Sequence, residues 1–295
     1  MSQAPSPSQA SVAARLRHPP PRAHLRLVIP SILLTWGCGS AFPPQRAPLF
    51  TAPLSIEGTE IGRAIIDTGG GYEVMLHRPF GLDVVDTMDV LAFGGRETVG
   101  VTGGFVFETG GVRASADSAI VGLSVCECNG VGIDFFRKTG SIVGIDFELA
   151  QAAFLREIPD GGVEIPFEDP PPHMTRFDSA FLDVVITDGT ESTLVRALLD
   201  TGTNGTIMRR GALSRSKETS GDEYSIQISR PEFVTVQVRT TLFTTEGLPD
   251  LIIGTDVMEV WSSRWYFHFL PVGGVVKAYP GEHASDAPAR INPAS

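Results

Sequence analysis

The chain has 295 residues, of which 42% are hydrophobic and 19% are charged, so it is long enough for one large domain or two small ones. Its formal net charge of -11 argues against nucleic acid as a partner, because nucleic-acid-binding surfaces are basic. The 32 glycines, the 22 prolines and many short runs rich in Val, Ile, Phe and Thr predict a mostly β protein.

The N-terminal segment 1–38 has the composition of an export signal. It begins with a stretch rich in Pro, Ser, Ala and Arg, and the apolar run Leu27–Trp36 follows. A basic segment followed by a short apolar one is typical of a secretory signal, and this run is too short to remain as a membrane-spanning anchor. An ordinary signal peptide and a buried first strand are both compatible with this pattern.

The end of the apolar run, Gly37-Cys38, resembles a bacterial lipoprotein signal. That resemblance implies that Cys38 is lipidated and that the protein lies in the bacterial cell envelope, either free in the periplasm or lipid-anchored. A lipid anchor would be the only contact with a membrane. Residues 39–47, which are rich in proline, are predicted to be a tether.

Two similar blocks make up the rest of the chain, one over residues 48–158 and the other over residues 176–280. In each block a strand, a turn and a second apolar strand lead to Asp-Thr-Gly, in "SIEGTEIGRAIIDTG" and in "VVITDGTESTLVRALLDTG". Residues 159–175, with their run of prolines, are predicted to be a linker, and residues 281–295 a disordered tail. An internal repeat of this kind indicates two related structural units.

A second element also occurs in both blocks. Two β-branched residues and a glycine come at Ile142-Val143-Gly144 and again at Ile252-Ile253-Gly254, and a short helix and a closing strand are predicted after each. The longer first block also contains Gly-punctuated apolar runs that predict hairpins. A given tripeptide is expected at on the order of 10⁻⁴ of positions, so two Asp-Thr-Gly sequences in matching contexts are not accidental.

These paired signatures resemble the aspartic proteases, the pepsin and retropepsin group. The resemblance covers most of residues 48–270 and rests on Asp67-Thr68-Gly69 and Asp200-Thr201-Gly202. It implies an all-β, bilobal, pepsin-like acid protease fold made of two retropepsin-like lobes with the active-site cleft between them. Since one chain holds both half-sites, a monomer would be sufficient.

The resemblance assigns catalysis to Asp67 and Asp200. Two carboxylates held face to face cannot both ionise, so they share one proton, as is established for the dyad of aspartic proteases. The ionised member draws a proton from a water molecule between them, and the other protonates the scissile carbonyl. Such a hydrolase acts on a peptide or protein substrate and needs neither a metal ion nor another cofactor.

Supporting roles follow for the neighbours of the two acids. The glycines permit a sharp turn, and the threonine hydroxyls can bond across the lobes as they do in the family. Gly70 departs from the Ser, Thr or Ala that the family has after its glycine. The expected active-site supports are Thr68, Gly69, Thr201, Gly202 and Thr203, with Gly144 and Gly254 packed beside the loops or lining the cleft.

The sequence also offers candidates for a residue that closes the cleft and a prediction for two of the cysteines. The family closes its cleft with a Tyr or similar residue on a hairpin, for which Phe105, Phe107 and Tyr72 are candidates, with core packing as the alternative for the two phenylalanines. Cys126 and Cys128 are predicted to be free thiols, because a bridge between residues two apart is strained.

Two alternatives to a protease of this type remain. Ser214 and Lys217 match the Ser-x-x-Lys pattern of serine nucleophiles, but its companion motifs are missing. The more serious alternative is a non-catalytic bilobal protein that binds peptides or envelope components. The presence of both aspartates favours the enzyme.

Overall fold

The computed structural model describes residues 49–279, except 93–94, 124–126, 173 and 175–178. The export signal with Cys38, the tether and the tail lie outside the described residues, so these predictions remain predictions. Within the described part of the chain, no helix has the length and apolar character needed to cross a membrane.

The first unit is built on a nine-stranded sheet with the order β4-β5-β8-β3-β9-β2-β1-β6-β7. Its strands are β1 (Thr51–Ile56), β2 (Thr59–Ile66), β3 (Val74–Leu76), β4 (Val84–Ala92), β5 (Gly95–Thr102), β6 (Phe105–Thr109), β7 (Val112–Ala116), β8 (Ala119–Val121) and β9 (Asn129–Val131). The predicted Gly-punctuated hairpins are confirmed. In β6–β7, Gly110 and Gly111 both have positive φ, as a tight two-residue hairpin turn requires.

A short helix and three further strands follow the first sheet. They are α1 (Ile133–Thr139), β10 (Ile142–Asp146), β11 (Gln151–Leu155) and β12 (Val163–Pro166). The helix therefore precedes the segment containing Gly144, and the prediction of a helix after that glycine is wrong. The chain instead forms the β10–β11 hairpin there, because apolar residues of β10 are buried against a partner strand on each side.

The second unit is a closed barrel with the order β13-β14-β18-β15-β17-β16. Its strands are β13 (Phe181–Thr187), β14 (Ser192–Leu199), β15 (Ile207–Arg209), β16 (Glu223–Arg230), β17 (Phe233–Phe243) and β18 (Leu251–Ile253). After them come α2 (Thr255–Trp261), β19 (Arg264–Phe269) and β20 (Gly274–Tyr279). Closure of the barrel leaves its strands without a free edge, which protects them from pairing with other chains.

A five-stranded sheet joins the two units, with the order β11-β10-β19-β20-β12. Strand β10 from the first unit pairs antiparallel with β19 from the second, so Val143 lies opposite Phe267. Trp265 and Phe267 are fully buried in the core that both units share. The predicted linker 159–175 contains β12, an edge strand whose Ile165 is buried against this sheet.

The prediction of an all-β fold is confirmed, since strands dominate the described residues and the α-helices among them are short. The repeat is also visible in the sheets. Strand β2 pairs in parallel with β9, with Ile66 opposite Val131, and β14 pairs in parallel with β18, with Leu199 opposite Ile253. Each unit thus places the end of its aspartate strand beside a strand that leads into a helix.

Candidate active site

The two Asp-Thr-Gly loops begin where β2 and β14 end. The backbone N–H of Asp67 donates to the carbonyl of Val131 at 3.0 Å, and that of Asp200 donates to the carbonyl of Ile253 at 3.0 Å. The same hydrogen bond therefore fixes the start of both loops. Both aspartates are enclosed, with exposed fractions of 1% and 0%, respectively.

The two carboxyl groups lie next to each other across the lobes. The N–H of Gly69 donates to Asp67 Oδ1 at 2.9 Å. A Cβ atom added to the same glycine would lie 2.4 Å from Asp200 Cγ, so the Asp200 carboxyl group occupies the space that a side chain would need. In the other loop, Gly202 N–H donates to Asp200 Oδ1 at 2.8 Å. A single glycine therefore contacts both acids.

The threonines of the two loops hold the lobes together by reciprocal hydrogen bonds. The Thr68 hydroxyl accepts from Thr201 N–H at 3.0 Å and donates to the carbonyl of Leu199 at 3.1 Å. The Thr201 hydroxyl accepts from Thr68 N–H at 3.2 Å and donates to the carbonyl of Ile66 at 2.6 Å. All four bonds are buried, and the Ser179 hydroxyl adds a further bond to the carbonyl of Thr68 at 2.8 Å. This network fixes the relative position of the two aspartates.

Replacing Thr201 by Val is expected to lower the free energy of unfolding by about 2–3 kcal/mol, because the isosteric side chain leaves the carbonyl of Ile66 and the N–H of Thr68 buried without this partner. Urea denaturation followed by circular dichroism measures the loss. The control is Thr98→Val, which removes an exposed hydroxyl and should change stability by less than about 0.5 kcal/mol. Equal effects of the two substitutions would contradict a stabilising network between the lobes.

Gly254 lies beside the second loop, where the sequence places it. A Cβ atom there would lie 2.7 Å from the carbonyl carbon of Gly205, so the backbones approach too closely for a side chain. The Thr203 hydroxyl donates to the carbonyl of Gly205 at 3.0 Å. Asp256 accepts two hydrogen bonds from Thr206, from its N–H at 3.0 Å and its hydroxyl at 2.8 Å. These contacts tie the loop to the start of α2.

The placement of Gly144 beside the first loop is wrong. Gly144 lies in β10 of the joining sheet, and a Cβ atom on it would meet the ring of Tyr266 at 3.1 Å. Gly132, at the end of β9, takes the position that corresponds to Gly254. Its added Cβ atom would lie 2.4 Å from the carbonyl oxygen of Gly70.

The error has a clear source in the sequence. Val-Gly-Ile-Asp occurs twice in the first unit, at 131–134 and at 143–146, and the second copy is preceded by the more apolar run. Strand β9 begins with Asn129-Gly130, so its composition does not indicate a buried strand. The apolar helix sequence "IDFFRKT" directly after Gly132 is the signal that could have identified the correct copy.

Tyr72 contacts the first aspartate, a role that the sequence did not reveal. Its hydroxyl donates to Asp67 Oδ2 at 2.5 Å, and the residue is 3% exposed. Burial, together with the Asp67 carboxylate, raises the pKa of Tyr72 well above its ordinary value of 10.0. The phenol therefore stays protonated and able to donate. The run of three glycines directly before an aromatic residue was the available signal.

The hairpin formed by β4 and β5 covers this site. Val90 and Val99 on its inner face are buried in one apolar cluster with Tyr72. Further along β4, Leu91 approaches the second lobe, since a Cβ atom on Gly247 would lie 3.1 Å from its Cδ2 atom. The hairpin thus reaches from the first lobe to the loop before β18 and helps to enclose the dyad.

Phe105 and Phe107, the first candidates for a closing residue, lie in the main hydrophobic core instead. That assignment is wrong, and the core-packing alternative is confirmed for both. Cys128 is disulfide-bonded, so its prediction as a free thiol is also wrong; both other cysteines of the chain lie outside the described residues.

The Ser-x-x-Lys pattern lies on a 3₁₀ turn after β15. The Ser214 hydroxyl donates to a carboxylate oxygen of Glu191 at 2.9 Å, and the aliphatic part of Lys217 packs against Gly211. These contacts are those of a surface turn, in which neither residue serves the other as nucleophile or base.

No protein-family model matches the chain, and no curated protein sequence matches it. Among solved structures, the chain is similar to the crystal structure of aspartic proteinase from Irpex lacteus, with a TM-score of 0.49 and 10% sequence identity. The alignment covers 81% of this chain and 98% of that one. This likeness is too distant to bear on the chemistry of the site, whose assignment depends on the geometry of the two aspartate loops.

Proposed function

We propose that the protein is an aspartic endopeptidase that hydrolyses peptide bonds with a water molecule activated between Asp67 and Asp200. One observation carries the proposal. The Gly69 N–H holds the Asp67 carboxyl group, while the Asp200 carboxyl group lies against the α-carbon of the same glycine. Two acids brought together in this way, from distant parts of the chain, form the arrangement that acid proteolysis requires.

The chemistry follows from the proximity of the two acids. Repulsion between neighbouring carboxylates keeps one of them protonated, so the pair holds one proton at acidic and near-neutral pH. The ionised carboxylate takes a proton from the water as the water oxygen attacks the peptide carbonyl carbon. The protonated carboxyl group gives its proton to the carbonyl oxygen. A proton then passes to the amide nitrogen as the C–N bond breaks.

The glycine N–H groups have a defined part in this scheme. Gly69 and Gly202 each donate to the Oδ1 atom of the acid in their own loop, at 2.9 and 2.8 Å. These bonds fix the orientation of both carboxyl planes. Preorganised donors of this kind cost no rearrangement during the reaction.

Substrate must reach a dyad that is enclosed in this structure. In the proposed enzyme, the β4–β5 hairpin moves away from the loop that contains Gly247 and admits an extended peptide between the lobes. Among the described residues, Leu91 of the hairpin packs against this loop at Gly247. Closure afterwards would exclude water from the bound peptide.

An acid-range activity screen tests the function. The purified protein is incubated with a peptide library between about pH 3 and 7, the range over which a carboxyl pair holds one proton. Cleavage that a statine-type inhibitor blocks is the expected result. Peptide binding without cleavage at any pH in this range would contradict the enzyme and favour the non-catalytic bilobal peptide- or envelope-binding protein.

We also propose that the protein is exported to a bacterial cell envelope and anchored there through Cys38, with no nucleic-acid partner and with a monomer as the active unit. Cells fed a labelled fatty acid should incorporate the label into the wild-type protein, and Cys38→Ala should eliminate it. Label that survives the substitution would contradict the anchor. An unlabelled but exported wild-type protein would favour an ordinary signal peptide.

A further inference from the structure

Tyr72 gives the two acids of the site different surroundings. Asp67 receives the Tyr72 hydroxyl on Oδ2 at 2.5 Å, in addition to the Gly69 N–H on Oδ1. In the second loop, Thr203 occupies the position corresponding to Gly70, and its hydroxyl donates to the backbone of Gly205. The hydroxyl group that Asp67 receives comes instead from Tyr72, which lies two residues after Gly70.

Three glycines form a slot for the Tyr72 side chain. A Cβ atom on Gly70 would lie 2.4 Å from Tyr72 Cε1, and one on Gly130 would lie 2.4 Å from the hydroxyl oxygen. A Cβ atom on Gly132 would lie 3.1 Å from Cδ2 of the same ring. Any larger residue at Gly70 or Gly130 would displace the ring. The slot, built from the aspartate loop and from β9 and its end, thus accounts for the glycine at position 70.

Burial and, after it, the neighbouring carboxylates raise the pKa of Tyr72, so its hydroxyl remains a hydrogen-bond donor. The carboxylates that act on it are those of Asp67 and, more weakly, Asp200. The residues packed around it from β3, β4, β5, β8 and the following loop are apolar: Met75, Val90, Val99, Ile120 and Leu123. Its neighbour Glu73 is paired with Lys138 at 3.0 Å. A phenol in this setting keeps its proton while the aspartates titrate.

We propose that Tyr72 is a positioning residue that fixes Asp67 as the ionised member of the dyad, which makes Asp67 the base and Asp200 the acid in the first step. A hydrogen bond donated to a carboxylate favours its ionised form, and Tyr72 adds such a bond to the one that Asp67 accepts from Gly69. The inference rests on the proposed function for its catalytic meaning. The unequal protonation of the two acids does not depend on that function.

Tyr72→Phe removes only the donated hydrogen bond, since the ring still fills the glycine slot. Without the donor, Asp67 keeps its proton up to a higher pH. The ionised form that acts as the base is therefore lost at a higher pH than in the wild type. The acidic limb of the kcat/KM profile should move up by about one pH unit, which corresponds to about a tenfold change in the protonation equilibrium. At a pH on that limb kcat should fall about tenfold, while KM changes less.

Tyr224→Phe is the matched control. The Tyr224 hydroxyl donates to Asp188 Oδ2 at 2.7 Å in the second lobe, so the same atom is removed from another tyrosine–aspartate pair. This pair contacts the surface turn between β13 and β14 and is not part of the site. The control should keep the wild-type pH profile, and a shift of equal size in both variants would overturn the proposal.

A second measurement does not require hydrolysis. In protein labelled with γ-¹³C aspartate, the lower of the two apparent titration midpoints of the pair should rise by about one pH unit in Tyr72→Phe, with Asp67→Asn used to assign the signals. An unchanged midpoint, or a uniform loss of kcat at every pH without a shifted limb, would overturn the proposal. If the wild type cleaves no peptide, the proposed function fails, and the titration still decides the role of Tyr72.

Discussion

Replacing Asp200 by Asn is expected to lower kcat/KM for peptide hydrolysis by at least ~10³-fold, because the amide can neither supply the carboxyl proton nor share one with Asp67. The substitution is nearly isosteric, and the amide oxygen can still accept the Gly202 N–H. The fold should therefore survive, with an unchanged circular dichroism spectrum. Steady-state kinetics with a peptide found in the acid-range screen provides the measurement.

The control for this substitution is Asp222→Asn in the same lobe. The Asp222 side chain is 91% exposed, so its conversion should leave kcat/KM unchanged. Hydrolysis by Asp200→Asn at the wild-type rate would refute the assignment of the dyad. Equal losses in both variants would point to an effect of net charge instead of one at the site.

Gly132→Ala should lower the free energy of unfolding by about 3 kcal/mol or more, or prevent folding. The added Cβ atom would lie 2.4 Å from the carbonyl oxygen of Gly70 and 2.6 Å from that of Tyr72, and backbone atoms cannot rotate away. The clash falls directly on the loop that carries Asp67. Chemical denaturation of the purified variant gives the loss.

Gly144→Ala is the comparison that tests whether Gly132, and not Gly144, corresponds to Gly254. Its Cβ atom would meet only side-chain atoms, the nearest at 3.1 Å in the Tyr266 ring, so a small shift relieves the contact and about 1 kcal/mol or less is expected. Gly254→Ala should behave like Gly132→Ala, since it would press on the backbone of Gly205 at 2.7 Å. A greater loss of stability for Gly144→Ala than for Gly132→Ala would support Gly144, and not Gly132, as the counterpart of Gly254.

The aspartate loops could be predicted because their signal is local. An apolar strand that ends in Asp-Thr-Gly indicates a buried strand with an acid on the turn after it, whatever the rest of the chain does. The two loops could also be predicted to meet, because an acid directly after the buried Leu199 is tolerable only with a polar partner. In the structure, each aspartate loop is hydrogen-bonded to the other one, because the threonine hydroxyl of each loop accepts from the threonine N–H of the other.

The remaining features depend on tertiary contacts that a strand pattern does not encode. Strand β9 is buried because it lies between β2 and β3, although two of its residues are Asn129 and Gly130. Strand β12 forms in a segment rich in Pro and Gly because β20 offers it an edge. The bond from Tyr72 to Asp67 links a loop residue to an acid of that loop through a slot completed by β9.

A crystal structure with a bound statine-type inhibitor tests the central claim most directly. The inhibitor's secondary hydroxyl takes the place of the attacking water, so it should lie within about 3.2 Å of an oxygen from each of Asp67 and Asp200. The β4–β5 hairpin should lie over the inhibitor. A hydroxyl bonded to one acid while the other faces away, or an inhibitor bound outside the space between the lobes, would contradict a shared catalytic water.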